Sequence, residues 1–258
     1  MRLKFMTGVA FAMATLLPAR ATNYQDVWWV GQQEDGWGMF IVQQSQQLFA
    51  AWFVYGQNGQ PTWFTWISDP PGSNPAIRTG KVYTRTGTFF GAIPFVANTP
   101  REAGTATFNF TSAREAQMNY SFDGTMVSKT ITRLSFAPIA ISGVYLGGTY
   151  RQGAGCSNTN NNGDRLSDPL TLQVTQTATT LQVNELGGAL CRYSGSFQQF
   201  GVTYEGSGSY TCQGETGTWT AREGTSSETT FSVRMALRPS GDVCTINATI
   251  GGFKQPAG

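Results

Sequence analysis

The side chains that could do acid–base chemistry are few in this chain, and they are widely spread. The 258 residues include no histidine, which excludes Ser-His-Asp and Cys-His catalysis and histidine-based zinc sites. Asp and Glu total 15, and no spacing among them selects the pair of facing carboxyls that a glycoside hydrolase requires. The sequence therefore predicts no catalytic residue, and a carbohydrate-active hydrolase that uses two acids is kept only as an alternative.

The four cysteines all lie in the second half of the chain. An even count favours disulfides in an exported protein, and four cysteines allow three pairings. If the chain turns at residues 201–202, Cys191 and Cys212 lie opposite each other in a strand pair, close enough for a bridge. This hairpin favours the pairs Cys191–Cys212 and Cys156–Cys244.

A metal site is the rival interpretation of these cysteines, and it has little support. The chain has no CxxC spacing and no histidine to complete a zinc site. Asn158, Asn160, Asn162 and Asp164 could offer oxygen ligands to calcium, but the run lacks the charge and the closing glutamate of a calcium loop. The sequence predicts neither a metal nor a cofactor.

Tryptophan and tyrosine form the densest cluster of potential ligand contacts. Six of the seven tryptophans lie within residues 28–67. These side chains stack on sugar faces and offer a polar edge, and the mouths of β-barrels are common ligand sites. The alternative is that they fill a barrel core. The predicted ligand-binding residues are Trp28, Trp37, Trp52, Trp63, Trp66 and Tyr55.

The strands that carry this cluster are apolar on both faces. With a two-residue turn at Asn58-Gly59, Val54 should lie opposite Trp63. An ordinary half-buried hairpin alternates apolar with polar residues, and this one does not. We expect one face to fill a barrel and the other to meet the second domain, a partner chain or a ligand.

The elements that must position these residues are short strands. Runs rich in β-branched and aromatic residues, bounded by turn residues such as Asp123-Gly124, give about eight strands in each half. Evenly spaced strands predict an all-β protein of two small antiparallel up-and-down barrels, with one larger β-sandwich as the alternative. One strand is predicted over residues 81–90, and residues 151–168 are predicted to be a flap or a disordered loop.

Domain boundaries follow from composition. Pro138 stops a strand, the cysteines follow it, and most of the large aromatics precede it. We expect an aromatic-rich barrel over residues 22–138 and a disulfide-containing barrel over residues 139–258.

Residues 1–21 are typical of a secretory signal peptide. Arg2 and Lys4 precede an apolar run over residues 5–17, and a small-residue pattern at residues 19–21 predicts cleavage after Ala21. The run of 13 residues is too short to span a bilayer, and no later run predicts a transmembrane helix. We therefore expect a bacterial protein that is periplasmic or secreted.

Cleavage changes the charge. Loss of three basic residues leaves 14 basic and 15 acidic residues, a net charge of −1. The mature chain therefore lacks the excess of positive charge that attracts proteins to the phosphates of nucleic acids.

The aromatic segment resembles a module found in exported proteins of proteobacteria, where it often accompanies a cysteine-containing β-rich region like the one that begins at Gly155-Cys156. The resemblance implies location and β-architecture but no activity. A looser likeness to streptavidin- and lipocalin-type barrels transfers no biotin-binding residue. The residues that carry the resemblance are Trp28-Trp29, Gly36-Trp37-Gly38, residues 49–55, Asn58-Gly59 and Trp63.

These observations favour a non-catalytic binding or interaction module. Its aromatic surface or cup would recognise an unknown sugar, lipid, small molecule or protein. A structural envelope protein, in which the outer aromatic face is a permanent interface within an oligomer, is a further alternative. An outer-membrane barrel fits less well, because the later strands make no continuous outward apolar band.

Overall fold

The computed structural model describes residues 22–94, 96, 100–187 and 190–256, apart from the side chain of Asp168. The predicted signal peptide lies outside the described residues. The chain folds into two closed antiparallel β-barrels, so the predicted all-β, two-barrel fold is confirmed. The strands of the first barrel follow one another as an up-and-down meander that closes between β1 and β8: β1 (Asp26–Trp29), β2 (Gly38–Gln44), β3 (Gln47–Tyr55), β4 (Pro61–Ser68), β5 (Ile77–Thr84), β6 (Arg101–Phe110), β7 (Glu115–Phe122) and β8 (Thr125–Arg133).

The second barrel is also a meander, and its last long strand closes on its first. Strand β17 pairs with β9, and β12 pairs with β14, while the short β13 extends the edge of β14. Two 3-10 turns, Gln32–Glu34 and Thr159–Asn161, lie in loops. The strands are β9 (Gly143–Gly153), β10 (Gly163–Gln176), β11 (Thr180–Leu186), β12 (Arg192–Ser196), β13 (Gln198–Phe200), β14 (Thr203–Cys212), β15 (Glu215–Ser226), β16 (Thr230–Pro239) and β17 (Ile246–Lys254).

Strand periodicity sends alternate side chains into each barrel. In β3, Leu48, Ala50 and Trp52 are fully buried, while the intervening Phe49 and Phe53 are 40% and 47% exposed. The interior of the first barrel is therefore a packed aromatic core rather than a channel. The second barrel has a tyrosine-rich core that includes Tyr145, Tyr193, Tyr204 and Trp219.

The turn at Asp123-Gly124 is confirmed, because both residues have positive φ (45° and 84°) and Phe122 pairs with Thr125. The register predicted for the aromatic hairpin is wrong by one residue. Phe53, not Val54, lies opposite Trp63.

The cause of this register error is the shape of the turn. The loop spans residues 56–60, with Gly59 N–H donating to the Gly56 carbonyl and only Gly59 having positive φ in it. A two-residue turn at Asn58-Gly59 would pair Tyr55 with Thr62, but Tyr55 pairs with Pro61. Every opposed pair of this hairpin is therefore shifted by one residue. Phe53 and Trp63 consequently share the outer face of the barrel.

Two predicted boundaries are also wrong. The strand predicted over residues 81–90 is β5, which runs from Ile77 to Thr84. Gly80 resembles a turn residue in the sequence, but it lies in mid-strand. Glycine is needed there because an added Cβ would stand 2.1 Å from the Ile67 carbonyl oxygen and 2.8 Å from Trp66 Nε1. Half of the predicted loop over residues 151–168 belongs to β9 and β10 instead.

One end of the first barrel is closed by a buried cation. Arg133 is fully buried and donates to Asp26 Oδ2 at 2.8 Å, where the Asp26 side chain is only 4% exposed. It also donates to the carbonyls of Asn23, Gln25 and Ala113. These bonds tie the N-terminal segment and the β6–β7 turn to the seam between β1 and β8.

The second barrel contacts this same closed end. Asp26 Oδ2 accepts a further hydrogen bond from the backbone N–H of Val202 at 2.9 Å, and Ser135 Oγ accepts one from Gly201 N–H at 2.8 Å. Arg114 lies over the Phe200 ring at 4.8 Å. The β13–β14 turn of the second barrel therefore rests on the plugged end of the first.

We expect Asp26→Ala to lower the free energy of unfolding by about 3–5 kcal/mol, because it leaves the Arg133 guanidinium buried without its counter-charge. Urea denaturation measures this change. The matched control is Asp69→Ala, which removes an exposed carboxylate and should stay within about 0.5 kcal/mol of wild type. A loss below about 1 kcal/mol for Asp26→Ala would contradict this role.

Candidate functional site

The predicted ligand-binding residues separate into three groups. Trp28, Trp52 and Trp66 are fully buried. The indole N–H groups of Trp28 and Trp66 donate to the carbonyls of Tyr24 and Ala106 at 3.0 and 3.3 Å. These three tryptophans form the barrel core and have no surface for a ligand, so they follow the alternative interpretation of the aromatic cluster.

Trp63 forms part of an outer aromatic face. It is 43% exposed and stands beside Phe53 on β3, which packs edge-to-face on Phe40 of β2 with ring centroids 6.0 Å apart. Val42, Phe49 and Ile67 continue this outer aromatic face across β2, β3 and β4, each 40–46% exposed.

Trp37 and Tyr55 lie instead at the open end of the first barrel, opposite the Arg133 plug. Here the walls surround a cup of about 850 Å³, a volume within the usual range for small-molecule sites. We refer to this site as the aromatic cup. Its aromatic side chains are Trp37, Tyr55, Phe64, Tyr120 and Phe122, and its polar rim includes Glu34, Asp35, Gln57, Asn58, Asp123 and Lys129.

The loop before β2 places Trp37 at this rim. A 3-10 turn at Gln32–Glu34 is followed by Gly36, whose positive φ (98°) is unfavourable for residues with a Cβ. A Cβ at Gly36 would also stand 3.0 Å from the Tyr55 ring. Glycine therefore lets the loop pack on Tyr55 and carry Trp37 over the barrel mouth.

Aromatic contacts make the floor of the aromatic cup rigid. Phe64 and Phe122 stack with centroids 4.0 Å apart, and Trp52 meets both Phe64 and Tyr120 edge-on at 5.7 and 5.6 Å. Burial raises the pKa of Tyr120, with a smaller opposing effect from the neighbouring Trp37. The Tyr120 phenol is therefore a neutral hydroxyl that can donate or accept a hydrogen bond.

Two indole N–H groups around this floor have unused hydrogen-bonding capacity. Trp37 Nε1 and Trp52 Nε1 are buried and make no hydrogen bond of ordinary geometry within the described part of the chain, although a weak hydrogen bond from Trp37 lowers the pKa of Tyr120. A buried donor without a partner costs free energy, and such groups are informative because they are rare. An oxygen atom of a ligand or of water could satisfy the Trp37 donor at the rim.

Charges at the rim are paired. Lys129 forms an ion pair with Glu34 and lies 5.7 Å from the Trp37 ring centroid. Arg101 holds Asp123 in a two-bond pair at 2.6 and 2.8 Å, which lowers the pKa of Asp123. Asp123 is consequently poorly suited to act as a general acid, which needs a raised pKa.

Sequence reasoning missed Phe64, Tyr120 and Phe122. Tyr120 and Phe122 lie on β7, far along the chain from the tryptophan cluster, and only barrel closure brings them to Trp37. A signal was present in the alternation Met118, Tyr120, Phe122, which marks the inward face of that strand.

The second barrel has its own site at the end remote from the first barrel. Arg151 donates to Glu185 Oε1 at 3.1 Å and to the Tyr193 hydroxyl at 2.6 Å. The Glu185 side chain is fully buried, and burial raises its pKa, although the Arg151 charge and a hydrogen bond from the Cys191 backbone act in the opposite direction. We refer to Arg151, Glu185 and Tyr193 as the buried polar cluster.

Both disulfides lie at this end. The structure joins Cys191 to Cys212 and Cys156 to Cys244, the two pairs that the sequence favours. Asp242 also lies near Cys156 and Cys244, but both sulfurs are consumed by the disulfide and cannot act as thiolate ligands.

Comparisons with known proteins identify no family. No protein-family model matches the chain, and no curated protein matches it. A crystal structure of a candidate outer membrane protein from Bacteroides fragilis NCTC 9343 is similar over 81% of this chain and 89% of that chain, at 11% identity and a TM-score of 0.33. A TM-score this low does not show a shared fold, so the likeness says nothing about function. None of the helices in the described residues has the length and hydropathy of a membrane span.

We expect the stability of the protein to fall as the pH rises above the ordinary range of a glutamate. The raised pKa of Glu185 means that the folded state binds its proton more tightly than the unfolded state does. Stability from this group is therefore complete below the unfolded pKa and is lost as the pH rises through the folded pKa, at up to about 1.4 kcal/mol per pH unit.

Glu185→Gln should flatten the profile of unfolding free energy against pH, because the variant has no proton to lose there. Urea denaturation at a series of pH values tests this. Glu228→Gln, which makes the same change in an exposed loop, should keep the wild-type profile. A Glu185→Gln profile that superimposes on the wild-type one would show that Glu185 is not the group responsible.

Proposed function

We propose that this protein is an exported, non-catalytic binding module and that the aromatic cup is its ligand site. The observation that carries the proposal is the set of Trp37, Tyr120 and Phe122 around an open cavity of about 850 Å³. The cup lies at the unplugged end of the barrel, so a ligand can enter it without opening the core.

The chemistry of the aromatic cup favours a sugar. Aromatic faces stack on the C–H faces of a pyranose, and the polar rim offers acceptors and donors for its hydroxyl groups. Asp35 and Asn58 supply oxygens at that rim, and the Tyr120 hydroxyl and Trp37 Nε1 lie among the aromatic side chains of the cup. A lipid would favour a deeper and drier cavity than this mouth, whose core below is filled by Trp52 and Met39.

Export is supported by the disulfides. Structural disulfides persist in oxidising compartments such as the periplasm and the extracellular space, and the chain forms two of them. Together with the signal-like residues 1–21, this favours a periplasmic or secreted protein of bacterial origin.

Catalysis by a carboxylate pair receives less support. The carboxylates of Glu34 and Asp123 at the aromatic cup are each held by a cation, so neither is poised to donate a proton. Glu185 has a raised pKa, but it lies in the other barrel beneath Arg151. A binding role needs no such pair.

The first test is a titration of tryptophan fluorescence with a panel of neutral oligosaccharides. We expect saturable quenching with at least one member of the panel. Trp37→Ala should weaken binding of that oligosaccharide by about tenfold or more, because the stacking surface at the mouth of the barrel is lost.

The matched control is Trp63→Ala, which removes a tryptophan of the outer aromatic face and should bind as wild type does. Circular dichroism checks that both variants are folded. Wild-type affinity in folded Trp37→Ala, or no binding to any sugar of the panel, would overturn this function.

A permanent interface is a second candidate function, and the outer aromatic face favours it. Phe40, Phe53, Trp63 and Ile67 are each 43–49% exposed on neighbouring strands, whereas scattered single apolar residues are the ordinary condition of a protein surface. In this candidate function the face would be buried in an oligomer.

If the outer aromatic face is such an interface, light scattering after gel filtration should give an oligomer, and Phe53→Ser with Trp63→Ser should convert it to a monomer. Met126→Ser, on an exposed residue of β8, is the control and should leave the mass unchanged. A wild-type monomer at high micromolar concentration would remove this candidate.

A further inference from the structure

The open end of the second barrel holds a cavity of about 720 Å³ that is lined by hydrogen-bond donors. Its described lining residues include no aromatic side chain. This polar mouth differs from the aromatic cup in chemistry and lies at the opposite end of the molecule from it. The residues that bear on its ligand are Arg151, Arg165, Asn158, Asn160, Ser167 and Glu215.

Two arginines stand side by side in the polar mouth. Arg165 of β10 is the direct cross-strand partner of Arg151 on β9, and the next inward pair is Ser167 with Thr149. Like charges directly opposite each other in a sheet repel. A strand pair that places both guanidinium groups in one cavity therefore gains from a counter-charge between them.

Within the part of the chain that the structure describes, only one of the two arginines has such a counter-charge. Arg151 is paired with Glu185. Arg165 is exposed, and it forms no ion pair with a carboxylate of the described residues. Its guanidinium keeps its planar set of donors for a ligand.

Glu215 is the acid that also lines the polar mouth, and its carboxylate accepts hydrogen bonds from neutral side chains. Its Oε1 accepts a hydrogen bond from the Tyr210 hydroxyl at 2.9 Å, and its Oε2 accepts one from Asn161 Nδ2 at 2.7 Å. Glu215 thus fixes the rim rather than neutralising Arg165.

The rim is held in place by covalent and hydrogen bonds. The Cys156–Cys244 disulfide anchors the loop that carries Asn158 and Asn160. Asp242 accepts hydrogen bonds from the backbone N–H groups of Ser157 and Asn158 at 2.8 and 3.2 Å. The amide side chains at this mouth therefore sit on a pinned loop, which lowers the entropy that ligand binding has to overcome.

The buried polar cluster beneath the mouth is incompletely satisfied. Arg151 Nε and Glu185 Oε2 are buried and have no partner within the described residues. Unsatisfied buried polar atoms of this kind call for an unseen water or ligand, and Arg151 is the residue that links the cluster to the cavity.

The geometry points to a second binding site, in which Arg165 and Arg151 hold the oxyanion of a small polar molecule, a carboxylate or a phosphate group. Arginine forks match the planar oxygens of both groups with two parallel hydrogen bonds. Asn158, Asn160 and Ser167 offer further donors and acceptors to the uncharged part of such a ligand. The site does not depend on a sugar in the aromatic cup.

The test is a titration of the purified protein with inorganic phosphate, acetate and glucuronate at constant ionic strength, with glucose as the uncharged comparison. Two-dimensional NMR of arginine Nε–H groups and isothermal calorimetry report binding. We expect at least one oxyanion to bind saturably and glucose to leave the arginine signals unchanged. The phosphate and carboxylate arms show which group the site prefers.

Arg165→Ala should weaken that binding by about tenfold or more, and Arg165→Lys should recover only part of it, because lysine cannot form the two-bond fork. Arg192→Ala removes an exposed arginine of β12 outside the polar mouth and should bind as wild type does. Since Arg165 is exposed, its variants should fold normally. Wild-type affinity in Arg165→Ala, or no response to any oxyanion beyond that to chloride, would overturn the proposal.

Discussion

Closure of each sheet on itself is the constraint on which the rest of this structure depends. An open eight-stranded sheet would expose two rows of unpaired backbone groups. In the first barrel the closing seam is short, since β1 and β8 share only the pairs Trp28 with Arg133 and Trp29 with Thr132. The buried Arg133 guanidinium adds bonds to Asp26 and to three carbonyls at that seam. One desolvated ion pair therefore both seals the barrel and plugs one of its ends.

The two ends of the first barrel differ, because Arg133 closes only one of them. The closed end of the first barrel meets the β13–β14 turn of the second through Asp26 and Ser135, so the two open mouths lie at the far ends. One mouth is aromatic and has Trp37 at its rim, and the other is polar and has Arg151 and Arg165 on facing strands. The same fold thus presents two chemically distinct cavities.

Sequence reasoning succeeded where a feature is local. The turn at residues 201–202 gives one continuous register, in which Gln198 pairs with Glu205 and Arg192 pairs with Thr211. In that register Cys191 lies opposite Cys212, and the two form a disulfide. It failed where the length of a loop decides a register, as at residues 56–60, where Trp63 lies opposite Phe53 and not Val54. It also could not assemble either mouth. Tyr120 reaches Trp37 only after the first sheet closes, and Arg151 meets Arg165 and Glu185 only once the pairing of β9, β10 and β11 is set. Which aromatics become core and which become surface depends on that closure, and composition does not encode it.

The most direct test of the account is to follow the indole N–H signals of the seven tryptophans by NMR while an oligosaccharide that binds the protein is added. The account predicts that the Trp37 signal moves because the ligand stacks against this side chain, while the signals of Trp63 on the outer aromatic face and of Trp28 and Trp66, which donate within the core, stay in place. Movement of the Trp63 signal with the Trp37 signal unchanged would contradict it, because the ligand would then lie on the outside of the barrel.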